Sequence, residues 1–172
     1  MNENIRKYRV AIVIALIIAA VLVGFLAYRG KFGGLSGPIL APPTKEPVPP
    51  GTTVPGPTSP ASANVALPHI VVPAAPRTSA SFRNFDVQIR ADAFIPDTVI
   101  VREGDTAHVS FTAADKNYDV VQPDYRFRLQ IPQGATKLLE FAGINVGKYT
   151  IYCESCGWPK KGPVGYLVIV PK

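Results

Sequence analysis

From residue 80 onward, apolar and polar residues alternate in short runs. In FDVQIR the side chains of Phe85, Val87 and Ile89 share one face, and in AHVSF the residues Ala107, Val109 and Phe111 alternate with His108 and Ser110. TVIVREGD, YDVV, FRLQI, TKLLEF, GKYTIYC and GYLVIV follow, with Phe127, Leu129 and Ile131 on one face of FRLQI. Successive side chains of a strand point to opposite faces, so a run of this kind buries one side and wets the other. Eight such runs, at a spacing of about ten residues and divided by Gly, Pro, Asp and Asn, predict an antiparallel sandwich or barrel. The expected fold class is all-β, and residues 80–172 are enough chain for it. Phe94, Phe111, Phe127, Leu129, Phe141, Tyr149, Ile151, Val168 and Val170 are the expected core, whose burial supplies most of the stability of so small a domain.

The N-terminal pattern is different. Val10 to Tyr28 reads VAIVIALIIAAVLVGFLAY, nineteen residues without a charge, which is long enough to cross the hydrocarbon core as a helix. A cleaved signal has a shorter apolar region, about 7 to 15 residues, and a small-x-small site after it. Neither is evident, and no Cys follows the span. The expectation is an uncleaved single-pass anchor over residues 10–28. Arg6, Lys7 and Arg9 precede it, while Arg29 and Lys31 follow. This basic N-terminus predicts that residues 1–9 are cytoplasmic and that the rest of the chain lies outside the cell membrane.

Between these two parts, residues 29–79 are rich in Pro, Ala, Gly, Thr, Ser and Val, and twelve of the eighteen prolines fall between Pro38 and Pro76. Proline at this density removes ladder donors and favours extended, solvated backbone. The segment is expected to be a disordered tether, with a reach of about 150 Å if fully extended in the polyproline form. His69, in LPHIVVP, is expected to be solvated.

The formal net charge is +6, a value that raises the question of nucleic-acid or membrane-surface binding. Residues 1–79 carry +5 of it and residues 80–172 only +1. The folded part is near neutral, with no basic stripe of the kind phosphate binding requires. Nucleic acid is not an expected partner. The membrane is, through Val10 to Tyr28.

Candidate chemistry concentrates in YTIYCESCGWPKKGPVGYLVIV, where the only two cysteines, Cys153 and Cys156, sit on a loop between two strand-like runs. The segment AFIPDTVIVREGDTAHVSFTAADKNYDVVQP, with Phe94, Pro96, Ile100, Gly104 and Asp105, resembles the first half of a cupredoxin. FAGINVGKYTIYCESCG, with Gly147 and Tyr149 running into the cysteine loop, resembles the second half. More narrowly, Asp92 to Pro171 resembles the periplasmic dinuclear-copper domain of cytochrome c oxidase subunit II, whose loop has the form C-x-x-x-C-G-x-x-H-x-x-M. The resemblance implies a Greek-key β-sandwich, copper as cofactor, Cys153 and Cys156 as metal ligands, and electron transfer with an extracytoplasmic redox partner. Two thiolates, two imidazoles and a weak axial thioether suit that chemistry.

The chain departs from this pattern. Its motif is C-x-x-C, one residue short. The positions of the family's loop His and Met fall at Lys160 and Pro163, and that of the first-half His falls at Tyr118. Met1 is the only methionine, and alternation puts His108 on the polar face of its run.

Four readings of Cys153 and Cys156 therefore stand side by side: a dinuclear copper electron-transfer site, a Cu(I) or other soft-metal site on two thiolates, a disulfide, and a thioredoxin-like redox centre. An oxidising location and the absence of other cysteines favour the disulfide, which closes a small, comparatively reducible loop. The thioredoxin-like reading lacks the helix that should follow the motif. A disulfide-locked, degenerate copper domain acting as a structural or interaction module is the alternative to a metal-binding one.

Tyr118, Tyr125, Tyr152 and Trp158 are expected to pack on the sandwich rim. Asp115 and Asp119 are expected to bond a turn backbone, and Lys160 and Lys161 to form a solvated loop tip. No Ser-His-Asp set, paired-carboxylate phrase or phosphate-cradling glycine loop is present, so an enzyme is not indicated.

Overall fold

A computed structural model describes residues 43–60 and 62–172. The expected anchor, Val10 to Tyr28, lies outside the described residues. Among the described residues there are eleven strands: β1 (Lys45–Glu46), β2 (Ile70–Pro73), β3 (Ser81–Arg90), β4 (Ala93–Ile95), β5 (Thr98–Arg102), β6 (Thr106–Ala113), β7 (Tyr118–Gln122), β8 (Phe127–Ile131), β9 (Thr136–Ala142), β10 (Gly147–Tyr152) and β11 (Val164–Val170). No helix among the described residues is long and apolar enough to cross a membrane. All eight alternating runs are strands.

The strands form a sandwich of two sheets. One has the order β5-β11-β10-β7-β8, with β1 also on β10; the other is β2-β3-β6-β9, with β4 also on β3. The sandwich is not wholly antiparallel as alternation alone suggested. β11 pairs β5 in parallel and β3 pairs β6 in parallel. β3 and β6 become parallel neighbours because the chain turns from β3 into β4, crosses to β5 in the opposite sheet and returns as β6, while β5 and β11 are joined only through the strands between them. Hairpin turns cannot join parallel neighbours, so such crossings are required.

The inner faces bury Phe85, Val87, Ile89, Val109 and Phe111 from one sheet against Val99, Val101, Tyr149, Ile151, Leu167 and Ile169 from the other, each at 2% exposure or less. Phe94, Phe111, Phe141, Tyr149 and Ile151 belong to this core as expected, while Phe127 and Leu129 are only partly buried at its edge. Val168 and Val170 are buried on the opposite face. With Ile100 they form a second cluster, covered by Val48, Val54 and Val65.

That cover comes from the segment read as a tether. From residue 43 the Pro-rich stretch lies on the sandwich: Lys45 and Glu46 pair with Tyr149 and Lys148, Ala66 is 1% exposed, and Ile70–Pro73 extends the second sheet along β3. The physical reason lies in β5 and β11. Their runs VIV and LVIV are apolar on both faces, so the outer face needs a lid. Proline-rich backbone is already extended and is tolerated on sheet edges, where a missing N–H goes unused.

A buried ion pair joins this cover to the sheets. Arg83, 8% exposed, places Nε 2.5 Å from Oδ2 of Asp105, 1% exposed. Asp105 Oδ1 accepts the Ser81 N–H at 2.8 Å, and Arg83 Nη1 donates to the Pro55 carbonyl at 3.4 Å.

Candidate functional site

The cysteine loop begins where β10 ends. Tyr152 pairs with Val164 of β11 and with Val121 of β7, so Cys153 is delivered to the end of the sheet beside β7. The Cys153 N–H donates to the Pro163 carbonyl at 3.4 Å, closing the loop at its base. Within it, the Gly157 N–H bonds the Glu154 carbonyl at 3.1 Å and the Lys160 N–H bonds the Gly157 carbonyl at 3.1 Å. Gly157 and Gly162 hold φ of 109° and 101°, a conformation that favours glycine. A Cβ at Gly162 would stand 2.8 Å from the Cys156 Cβ, so the returning backbone is packed directly on that cysteine.

Cys153 and Cys156 are joined as a disulfide, with Cα atoms 5.2 Å apart. Cys153 is fully buried and Cys156 partly exposed. The third member of the site is Asp119 of β7, only 4% exposed. Its Oδ1 accepts the Ser155 N–H at 3.1 Å and the Ser155 Oγ–H at 2.8 Å, and lies 3.0 Å from Cys153 Sγ. A disulfide sulfur carries no proton. That contact becomes a donated hydrogen bond only in the dithiol. Asp119, Cys153 and Cys156 bring their donor atoms within 4.8 Å of one another, a grouping of three such residues that is unmatched among the described residues.

Arg128 of β8 completes the charge arrangement. Its Nη1 is 3.2 Å from Asp119 Oδ2, and its Nη2 pairs with Glu154. The hydrogen bond to Glu154, ahead of the nearby negative charges, holds the guanidinium above its ordinary pKa. Asn117, Tyr118, Asp119, Arg128, Gln130 and Ser155 line an open cleft of about 320 Å³ beside the loop. Tyr152 and Trp158 stack with centroids 4.7 Å apart, covering another side. Burial raises the Tyr152 phenol above its usual pKa.

The other sequence-picked positions have structural roles. Tyr118, at the first-half His position, donates its hydroxyl to Asp115 Oδ1 at 2.7 Å; burial raises its pKa. Asp115 bonds backbone as expected, accepting the Ala91 N–H at 2.7 Å. That bond, with the Tyr118 hydroxyl, lowers the Asp115 pKa. Lys160 is exposed and Pro163 is buried. Tyr125 is remote from the loop, stacked edge-on with Phe141 and Tyr149, and burial pushes its phenol up to about 12. His108 lies 2.9 Å from Glu140 and His69 3.4 Å from Asp86, both on strands or loops of the second sheet.

Asp119 departs from expectation in which turn it serves: buried on β7, it accepts from the backbone and hydroxyl of Ser155 in the cysteine loop and not from the turn of DKNYD. The signal was its place within the strand run YDVV, where alternation cannot tell which face a sheet-end residue presents once both faces are covered.

The family described as "Cupredoxin-like domain" matches residues 63–169. No curated protein matches the chain. Among solved structures, a multicopper oxidase overlays with a TM-score of 0.50 at 17% identity, covering 64% of this chain and 48% of its own, so this chain spans about half of that protein. A chain of a heme-copper terminal oxidase dimer overlays at 0.45 and 13% identity, covering 95% of this chain and 99% of its own. The metal-binding domain of the Cu(I)-exporting P-type ATPase of Streptococcus pneumoniae D39, solved with Cu(I), overlays at 0.45 and 15%, covering 52% and 86%. At these identities the likeness is one of fold.

Proposed function

The chain belongs to the cupredoxin-like domain family, and from that premise we propose that it is a copper-holding module whose two-cysteine loop takes one Cu(I) ion when reduced and closes as a disulfide when oxidised. The observation that carries this is the set of Cys153, Cys156 and Asp119 donor atoms within 4.8 Å, at the end of β10 and against β7. Two thiolates suit a soft cation such as Cu(I). Cys153 and Cys156 would hold the ion, and Asp119 with Ser155 and Arg128 would keep Cys153 in place. Bound copper supplies one-electron redox chemistry or serves as cargo for a partner.

A dinuclear electron-transfer site does not fit these residues. Tyr118 spends its hydroxyl on Asp115, Lys160 is exposed and the Pro163 side chain has no ligating atom. Both histidines face carboxylates of the second sheet.

The reading extends to the rest of the chain as a single-pass protein of the cell membrane, supported by the uncharged run Val10 to Tyr28 and the basic residues before it. Its domain would then work outside the cytoplasm with a redox or copper-handling protein partner. A second reading, a disulfide-locked structural module, is favoured by the complete burial of Cys153.

Anaerobic titration of the reduced full chain with Cu(I), in competition with a chromophoric Cu(I) chelator, tests this. The expected result is one copper per chain, lost in Cys153→Ser and in Cys156→Ser. No retained copper would leave the structural reading. Two coppers per chain that develop intense thiolate-to-Cu(II) absorption once the loaded protein is oxidised with ferricyanide would restore the dinuclear one.

A further inference from the structure

Once reduced, the cysteine loop presents a carboxylate beside its two sulfurs. Asp119 Oδ1 lies 3.0 Å from Cys153 Sγ, and the donor atoms of Asp119, Cys153 and Cys156 fall within 4.8 Å of one another. A tetrahedral zinc ion sets two sulfur ligands about 3.8 Å apart, and a sulfur and an oxygen about 3.6 Å apart, given its ordinary bond lengths. The carboxylate therefore already stands within about 1 Å of a ligand position, and C-x-x-C is a zinc-site spacing. Charge bears on which ion is held. Two thiolates and Asp119 carry three negative charges, and Arg128, its Nη1 3.2 Å from Asp119 Oδ2, returns one positive. Cys153 and Asp119 are 0% and 4% exposed, where uncancelled charge is costly. A divalent ion cancels the remaining two charges, whereas Cu(I) cancels one. Glu154, the other partner of Arg128, adds negative charge and so acts in the same direction. Zinc combines a double charge with affinity for thiolate.

We propose that the reduced loop also binds zinc, through the thiolates of Cys153 and Cys156 and the carboxylate of Asp119, with the fourth position left to water. This rests on the reading of the pair as a metal site when reduced, and goes beyond it in making Asp119 a ligand. With Cu(I), which two thiolates satisfy, Asp119 remains a neighbour. Arg128 on Oδ2 orients the carboxylate and leaves Oδ1 to the ion, as hydrogen-bonded partners of metal ligands do. Oδ1 accepts the Ser155 N–H and Oγ–H. Ser155 is exposed, so its hydroxyl can rotate to water when that oxygen takes a metal. The open cleft of about 320 Å³ beside Asp119 and Ser155 brings solvent to the same place. Each thiol passes its proton to the buffer as it binds. No electron moves, and zinc occupies the sulfurs that would otherwise pair.

Full chain in mild detergent, reduced and desalted without oxygen, is titrated with Co(II) as a coloured probe of tetrahedral sites and then with zinc. The expected result is one cobalt per chain, with the visible bands of tetrahedral geometry and thiolate-to-cobalt absorption, displaced by one zinc. Asp119→Asn keeps an oxygen for Ser155 but is a poor ligand. Measured against chromophoric chelators, it should weaken zinc at least about tenfold more than it weakens Cu(I). An octahedral cobalt spectrum, or an Asp119→Asn protein that holds zinc as tightly as the parent, overturns the inference. If the same chains still take one Cu(I), the copper reading stands and only the zinc site is lost. Chains that take neither metal overturn both.

Discussion

Replacing Asp119 by Ala tests whether the cysteine loop is held by one buried carboxylate. The substitution removes the acceptor for the Ser155 N–H and Oγ–H and one partner of Arg128. A hydrogen bond to a charged group is worth about 1.5–3 kcal/mol. Ser155 is exposed, so water recovers part of that loss, and the lower end applies to each of its two bonds. Arg128 is half exposed, 51%, and its pair adds little, about 0–1 kcal/mol. The expected loss is about 3 kcal/mol for Asp119→Ala. Asp119→Asn keeps an oxygen for Ser155 but loses the charge, so about 1 kcal/mol is expected. Reduction of the disulfide gives Cys153 a proton to donate, and the Ala variant should then lose roughly 1 kcal/mol more. Urea unfolding followed by the fluorescence of Trp158, which is stacked on Tyr152 in the same loop, measures each value in both redox states. An Ala variant within about 0.5 kcal/mol of the parent, or Ala and Asn variants of equal stability, would refute the argument.

Further outcomes are expected. Reducing the Cys153–Cys156 bridge, whose partners are three residues apart, should lower stability by about 2 kcal/mol on the loop-entropy relation, read as a shift in urea midpoint at constant m-value. Asp105→Ala leaves the buried Arg83 without its carboxylate and should cost about 3–5 kcal/mol; an Asp105→Ala protein as stable as the parent would contradict the burial of that pair. Asp115, its pKa lowered chiefly by the Ala91 N–H and then by the Tyr118 hydroxyl, contributes stability that is full above its ordinary value of 3.8 and is lost as pH falls through the lowered native value. The stability difference between parent and Asp115→Asn should therefore shrink on acidification over that range. A chain beginning at residue 80 lacks Val48, Val54 and Val65, which cover Ile100, Val168 and Val170, and should unfold at lower urea than one beginning at residue 43.

Much of the sandwich is legible in the residues because strand side chains alternate faces. FDVQIR, AHVSF and TKLLEF announce one buried face each, and the strands β3, β6 and β9 follow them closely. The prolines hid the other contribution. Composition marks residues 43–79 as unable to form a regular ladder, yet edge pairing asks for only a few donors, as Lys45–Glu46 and Ile70–Pro73 show. The apolar doubling in VIV and LVIV was the available sign that something must cover the outer face.

The site divides in the same way. By itself, the sequence determined that two cysteines stand on the last loop of a cupredoxin-like fold, and that Lys160, Pro163 and Tyr118 occupy positions where imidazole and thioether ligands would be needed. Those are matters of residue type and order. Only the tertiary structure decided that Asp119 is the buried partner of the pair and that Cys153 is enclosed while Cys156 is accessible. Asp119 and Cys153 are 34 residues apart in the chain. They meet because β7 and β10 lie side by side, and alternation along either strand carries no information about which neighbour it will face.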